Sequence, residues 1–335
     1  MRILIRPRLP VLALLLLAPT IPELLTGSTP VSELVYAPLQ FAIGFAGIVG
    51  LYGTGALLIR EFAIYFRKGW ATILLLGAAY GIAEEGFAVH TFFEPAGRSP
   101  VGLLGAYGHA FGVNWLWALG LTAFHAVYSI ALPILLTQLW FPEVKNERWL
   151  DRGAVALVAG VYGFVVALFS VVVGYGPSPA LLVLFLAVEA LLLYLAYRVP
   201  ADLLRLRDGP RRIGPYALAV DGAVFFLSWV LVLALAGTAG RVPAPIAGVA
   251  MVGLSFVAIA VVLSRVGTDG LERSKFYFSS GMLGVLFVWD IFIEFSVPGI
   301  LVVSALFGYM LYRLHRRILA RAAQIPAGAS RPGPA

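Results

Sequence analysis

Apolar residues run through this chain in long blocks separated by short polar stretches. Blocks of about 17 to 25 residues are long enough to cross a bilayer as helices. Such blocks occupy 9–26, 36–59, 70–93, 113–140, 153–173, 179–198, 216–236, 244–263, 279–297 and 299–314. The pattern predicts an all-α, polytopic membrane bundle of about ten helices. The last two blocks share one apolar stretch, divided at Ser296-Val297-Pro298-Gly299 because Pro followed by Gly is a strong turn signal.

Charge tests the division. Of the 24 basic residues, all but Arg98 and Arg241 fall at the termini or in alternate connections, as with Arg67 and Lys68, Lys145 and Arg148, and Arg273 and Lys275. Basic residues collect in cytoplasmic loops, so both termini are expected in the cytoplasm of a cell (plasma) membrane protein. Reading 279–314 as one helix would carry Arg313, Arg316, Arg317 and Arg321 to the outside, so the charge pattern supports the split. The start, "MRILIRPRLPVLALLLLAPTIPELL", has the charge and apolar stretch of a signal peptide without a small-residue cleavage site, and a retained first helix is expected. Residues 1–323 read as one transmembrane domain and 324–335, "QIPAGASRPGPA", as a disordered cytoplasmic tail.

Composition narrows the class. The 335 residues are 61% hydrophobic and 12% charged, with a mean hydropathy of +0.93, which excludes a water-soluble globular protein. The formal charge of +7 is accounted for by topology, so the lipid bilayer is the expected partner and nucleic acid is not. Cysteine is absent, which removes disulfides and thiolate chemistry.

Ionisable side chains within a span cost roughly 2.5–3.5 kcal/mol each on insertion scales, so each needs a partner or a purpose. They are Glu84, Glu85 and His90 in the third block, His125 in the fourth, Glu189 in the sixth, Asp221 in the seventh, and Asp290 with Glu294 in the ninth. At 1.5 Å per residue, Glu84 lies roughly 20 Å above Trp70, in the outer half, with His125 and Asp290 at overlapping depths. Asp290 and Glu294 are four apart and share a helix face. On the fourth helix Asn114, Ala118, Thr122, His125 and Ser129 form a small, polar stripe. Glu84 and Glu85 diverge by about 100° on an α-helix, so only one is expected to point fully into a shared site. By the same geometry His90 faces away from both and reads as an outer-end histidine meeting water. The stretch "EPAGRSPVGLLGAYGHAFG" reads as an exterior loop, with a lid or re-entrant segment as the alternative. Glycines at 44, 47, 50, 53 and 55 of the second helix indicate close packing.

Adjacent glutamates late in one membrane helix, followed by a histidine in the next, resemble the CPBP family of intramembrane metalloproteases, which includes the CAAX prenyl endopeptidases. That family's pattern is EExxxR, FxxxH, then HxxxN or HxxxD. Glu84 and Glu85 match its first two positions, Val89 stands at the arginine, His125 matches the second histidine after Leu121 in place of phenylalanine, and the third motif is missing. The resemblance spans about 60 residues and implies carboxylates and histidine activating water or holding a divalent metal ion. Under it Glu84, Glu85 and His125 are the candidate catalytic groups, and Glu85, His125, Asp290 and Glu294 the candidate metal ligands. A site nearer the outside does not suit a cytosolic CAAX substrate. Three functions therefore stand open: hydrolysis of a membrane-embedded peptide, lipid or small molecule, transport coupled to protons or cations, or a structural role in which the polar groups bond helices together.

Overall fold

Inside a bilayer the backbone has no hydrogen-bond partner but itself, so long apolar runs must form helices. The computed structural model describes residues 7–94, 107–204, 213–239, 242–267 and 270–324, with the backbone alone at 235–239. Among them are ten long helices. Helix α1 is Arg8–Pro19, continued by Thr20–Leu24. Next come α2 Pro38–Tyr65, α3 Trp70–Ala88, α4 Trp115–Trp140, α5 Arg152–Val172 and α6 Pro179–Arg198. The last four are α7 Pro215–Ala239, α8 Ala244–Arg265, α9 Leu271–Ile293 and α10 Ile300–Ala323. Eight of them, α2 to α9, are long and apolar enough to cross a membrane by that measure alone. In α10 a cationic second half, with Arg313, Arg316, Arg317 and Arg321, shortens the apolar part.

The helices alternate in direction between two ends. At one end Lys68 donates to the carbonyls of Tyr197 and Val199, Arg60 to those of Val144 and Lys145, and Arg321 to that of Leu139. This basic end also receives the start of α1 and the end of α10. At the opposite end Gly27 faces Ile293, Val297 and Ile300, while His90 meets Ser170 and Tyr175.

The break between α9 and α10 falls where Pro298-Gly299 predicts it, with Gly299 at φ 92°. Several bounds differ from the hydropathy pattern, and α2 runs on to Tyr65. Helix α3 stops at Ala88, because His90 adopts φ 59° and a 3-10 turn follows at Thr91–Phe93. Helix α9 begins at Leu271, so Glu272, Arg273 and Lys275, which hydropathy alone leaves outside, form its polar first turns. Helix α10 extends to Ala323. Of the glycine-rich connection, residues 95–106 lie outside the described residues, as does the tail from 325, and with them the expected lid and disordered tail. The rest of the connection forms a two-residue hairpin, His109 opposite Asn114 and Ala110 opposite Val113. Asn114 then caps α4 by accepting from the Trp117 N–H at 3.1 Å.

Burial singles out the centre. The apolar windows of α3 and α4 are 72% and 61% buried, against 11% for α5 and α6, which places the first pair inside and the second against lipid. Two apolar clusters flank this pair. One joins α1, α2, α3 and α5 through Leu14, Leu57, Ile73 and Val165. The other joins α4, α7, α9 and α10 through Leu132, Trp229, Leu283 and Phe307.

Candidate metal or acid-base centre

Helices α3 and α4 approach closely because glycines face the contact. A Cβ on Gly77 would lie 2.8 Å from Ala126 Cα, and one on Gly81 3.0 Å from Thr122 Cα. This GxxxG spacing lets backbones meet, as in other membrane helix pairs. It brings the polar stripe of α4 against the end of α3, where the two glutamates lie.

Both glutamates reach the same imidazole. His125 Nε2 lies 2.9 Å from Glu85 Oε1, and His125 Nδ1 lies 3.1 Å from Glu84 Oε2. The α-helical expectation that only one could point inward is corrected by a π-helical turn at Ala83–Ala88. Its i→i+5 bonding widens the turn, so neighbours diverge by less than the ~100° of an α-helix. His125 stands at the start of a second such turn, His125–Ala131. Two more, Thr20–Leu24 in α1 and Val49–Gly53 in α2, carry Glu23 and Tyr52 to the same region. Four widened turns on four adjacent helices thus converge, the setting in which π turns recur at functional sites.

The trio is sealed from solvent: Glu84, Glu85 and His125 are 3%, 8% and 2% exposed. Glu85 is held on both oxygens, one by His125 and the other by the Thr91 hydroxyl, which in turn accepts from Trp117 Nε1 at 3.1 Å. His125 Nδ1 is also 2.8 Å from the Ser129 hydroxyl. Glu84 Oε2 is buried and has no aligned hydrogen bond among the described residues, although Nδ1 is near. An orphaned buried carboxylate oxygen is costly, and it is the kind of atom an ion or a proton satisfies. The ring of Tyr52 lies 5.9 Å from the imidazole and that of Tyr80 6.0 Å. The Tyr52 hydroxyl donates to Glu23 Oε1 at 2.5 Å, and Thr29 donates to Glu23 Oε2 at 2.7 Å.

One ligand atom from each of Glu84, Glu85 and His125 falls within 4.8 Å of the others. Hard carboxylate oxygens with one imidazole suit a divalent cation such as zinc or manganese, so the residues present fit such an ion.

Asp290 and Glu294 do not join this group. Asp290 is fully buried on α9 and accepts from the Ser304 hydroxyl of α10, while Glu294 lies past the end of α9 and accepts from the Gly299 and Leu301 N–H groups. Helix α9 meets α4 about two turns away, where the Tyr128 hydroxyl is 3.4 Å from the Met282 carbonyl, while the acids expected to complete the site bond to α10 and its start instead. His90 departs from the water-facing expectation. It is buried, with Nδ1 2.6 Å from the Tyr175 carbonyl and Nε2 3.2 Å from the Ser170 hydroxyl. Asp221 pairs with Arg265 at 2.7 Å, and Glu189 Oε2 has no hydrogen-bond partner among the described residues.

Glu23, Tyr52 and Thr91 are additions that sequence reasoning missed. Glu23 carried a usable signal, since it lies inside the first apolar block. Tyrosine and threonine in membrane helices carry none.

No curated protein and no solved structure matches this chain. Residues 12–321 match the model of an uncharacterized membrane protein family, and the chain belongs to that family.

Proposed function

We propose that the chain is a metal-dependent intramembrane hydrolase acting on a membrane-embedded substrate, with its basic end in the cytoplasm. The observation that carries this is the convergence of Glu84, Glu85 and His125 within 4.8 Å in a buried site. It is the same pair-plus-histidine that resembles the CPBP metalloproteases. The orientation rests on the basic residues, which favour the cytoplasmic side.

Glu84, Glu85 and His125 would hold a divalent cation. Such an ion, when bound, makes a water acidic enough to yield hydroxide near neutral pH. The residues supply the rest. Thr91, anchored by Trp117, fixes the Glu85 carboxylate, and Glu85 with Ser129 fixes the imidazole. Glu84 Oε2, 3.1 Å from His125 Nδ1 and without an aligned hydrogen bond among the described residues, would complete the set of atoms that holds the ion. The surrounding tyrosine rings and apolar walls exclude bulk water and strengthen each of these interactions.

The test is metal content and hydrolysis by protein purified in detergent. Wild type is expected to retain zinc or manganese stoichiometrically, and His125→Ala and Glu84→Gln to lose it while remaining folded. A folded wild type that takes up no divalent ion at saturating concentration would remove the metal and leave the cluster as a proton-handling site, the arrangement a coupled transporter uses.

A further inference from the structure

Lysine is rare here: Lys68, Lys145 and Lys275 are the only lysines among 24 basic residues. All three line one cavity of about 220 Å³ at the basic end, together with Arg60 and Glu272. Three of the four cations are committed. Arg60 pairs with Glu61, Lys145 lies 3.6 Å from Glu272, and Lys68 donates to two carbonyls, which leave its charge unneutralised. Lys275 forms no ion pair among the described residues, and its Nζ lies 5.1 Å from the centre of the Trp70 ring.

Lys275, Trp70, Leu135 and Leu271 also line a second, larger cleft of about 380 Å³, which runs from the basic cavity along α4, α7, α8 and α9. Its wall is apolar in effect. The hydroxyls of Ser255, Ser274 and Ser279 each donate to a carbonyl of their own chain neighbourhood, and Tyr128 donates to Met282. An apolar slot that ends in an unpaired cation matches an amphiphile whose head is anionic.

We propose that this paired cavity binds a lipid carrying a phosphate headgroup, its hydrocarbon chain in the cleft and its phosphate beside Lys275. Phosphate, with three acceptor oxygens and roughly one and a half to two negative charges, balances the excess charge of Lys68 and Lys275. Moving a hydrocarbon chain from the bilayer into an apolar cleft gains little, because lipid tails are as apolar as the wall. Selectivity therefore rests on the head, and above all on Lys275. Glu84, Glu85 and His125 do not line this cleft, although Phe124 in its wall lies 5.6 Å from the His125 ring.

The experiment is native mass spectrometry of the delipidated, full-length protein in detergent, titrated with dioleoyl phosphatidic acid or dioleoyl phosphatidylcholine, with inorganic phosphate as competitor. Wild type should hold phosphatidic acid at least about tenfold more tightly than phosphatidylcholine, the scale of one charge-assisted contact. Lys275→Gln should abolish that preference and Lys275→Arg restore it. Ala258→Phe, which narrows the cleft, should weaken phosphatidic acid binding, and millimolar inorganic phosphate should not displace the lipid. Equal retention of both lipids by wild type, or an unchanged preference in Lys275→Gln, would overturn the proposal. Displacement by inorganic phosphate, or full binding by Ala258→Phe, would overturn it by showing a head-only site. Melting temperatures of each variant separate lost binding from lost folding.

Discussion

Glu294 accepts the backbone N–H groups of Gly299 and Leu301, both at 2.9 Å, where the start of α10 would otherwise leave donors unpaired. These bonds favour the charged form and hold its pKa below the usual glutamate value. Because the folded-state pKa is depressed, the stability it contributes is present above the unfolded pKa and is lost as pH falls through the folded one. Wild type should therefore melt higher than Glu294→Gln near neutrality, and the two curves should begin to draw together as pH falls below about 4, the unfolded value. Thermal melts from pH 3 to 8 measure this, and a difference that stays constant over the whole range would show that the bonds do not depend on charge. The same residue marks a limit of sequence reasoning. Its i,i+4 relation to Asp290 holds, since the Glu294 N–H donates to the Asp290 carbonyl at 3.0 Å, but both carboxylates are taken up by α10 and the turn before it rather than by His125. Glu84, Glu85 and His125 were legible singly, because charged groups in apolar runs are expensive. That both glutamates meet the imidazole was not, since nothing in "AAYGIAEEGFAVH" announces a π turn.

Between helices, the decisive contact is α3 against α4. Adding a methyl at Gly77 would bring Cβ to 2.8 Å from Ala126 Cα, a backbone atom that cannot swing aside. Gly77→Ala should destabilise the protein by about 1–3 kcal/mol, the usual range for overpacking, and should lower divalent-ion uptake by separating the glutamates from His125. Gly44→Ala is the control, since nothing lies within 4 Å of a Cβ there. Calorimetry and metal analysis on both variants test this, and equal behaviour of the two would mean that α3 and α4 have room to spare. Helix positions themselves were readable from apolar length, and the turn between α9 and α10 from Pro298, Gly299 and the cationic tail. The ends were less so. Helix α9 extends through Glu272 to Lys275 because those side chains lie at the basic end and line the cavity there, which a hydropathy average cannot register.

At the scale of the whole molecule, the ten long helices among the described residues bring the start of α1 and the end of α10 to one end. A chain without cysteine makes that arrangement directly measurable. Under the proposed orientation, Asn146→Cys, at the basic end, and Ser178→Cys, at the other, should react with a membrane-impermeant maleimide from opposite sides of the membrane, with Asn146→Cys protected in intact cells. Labelling of both in intact cells would break the topology. The placement of the lysines has a different consequence. Apart from the amino terminus, every primary amine of this protein lines the cavity at the basic end. Amine-directed reagents, which on most proteins decorate the surface at random, become here a footprint of that one chamber. A succinimidyl ester, a reductive methylation or a lysine-specific protease would each report whether the chamber is open, filled or closed, with no engineered label.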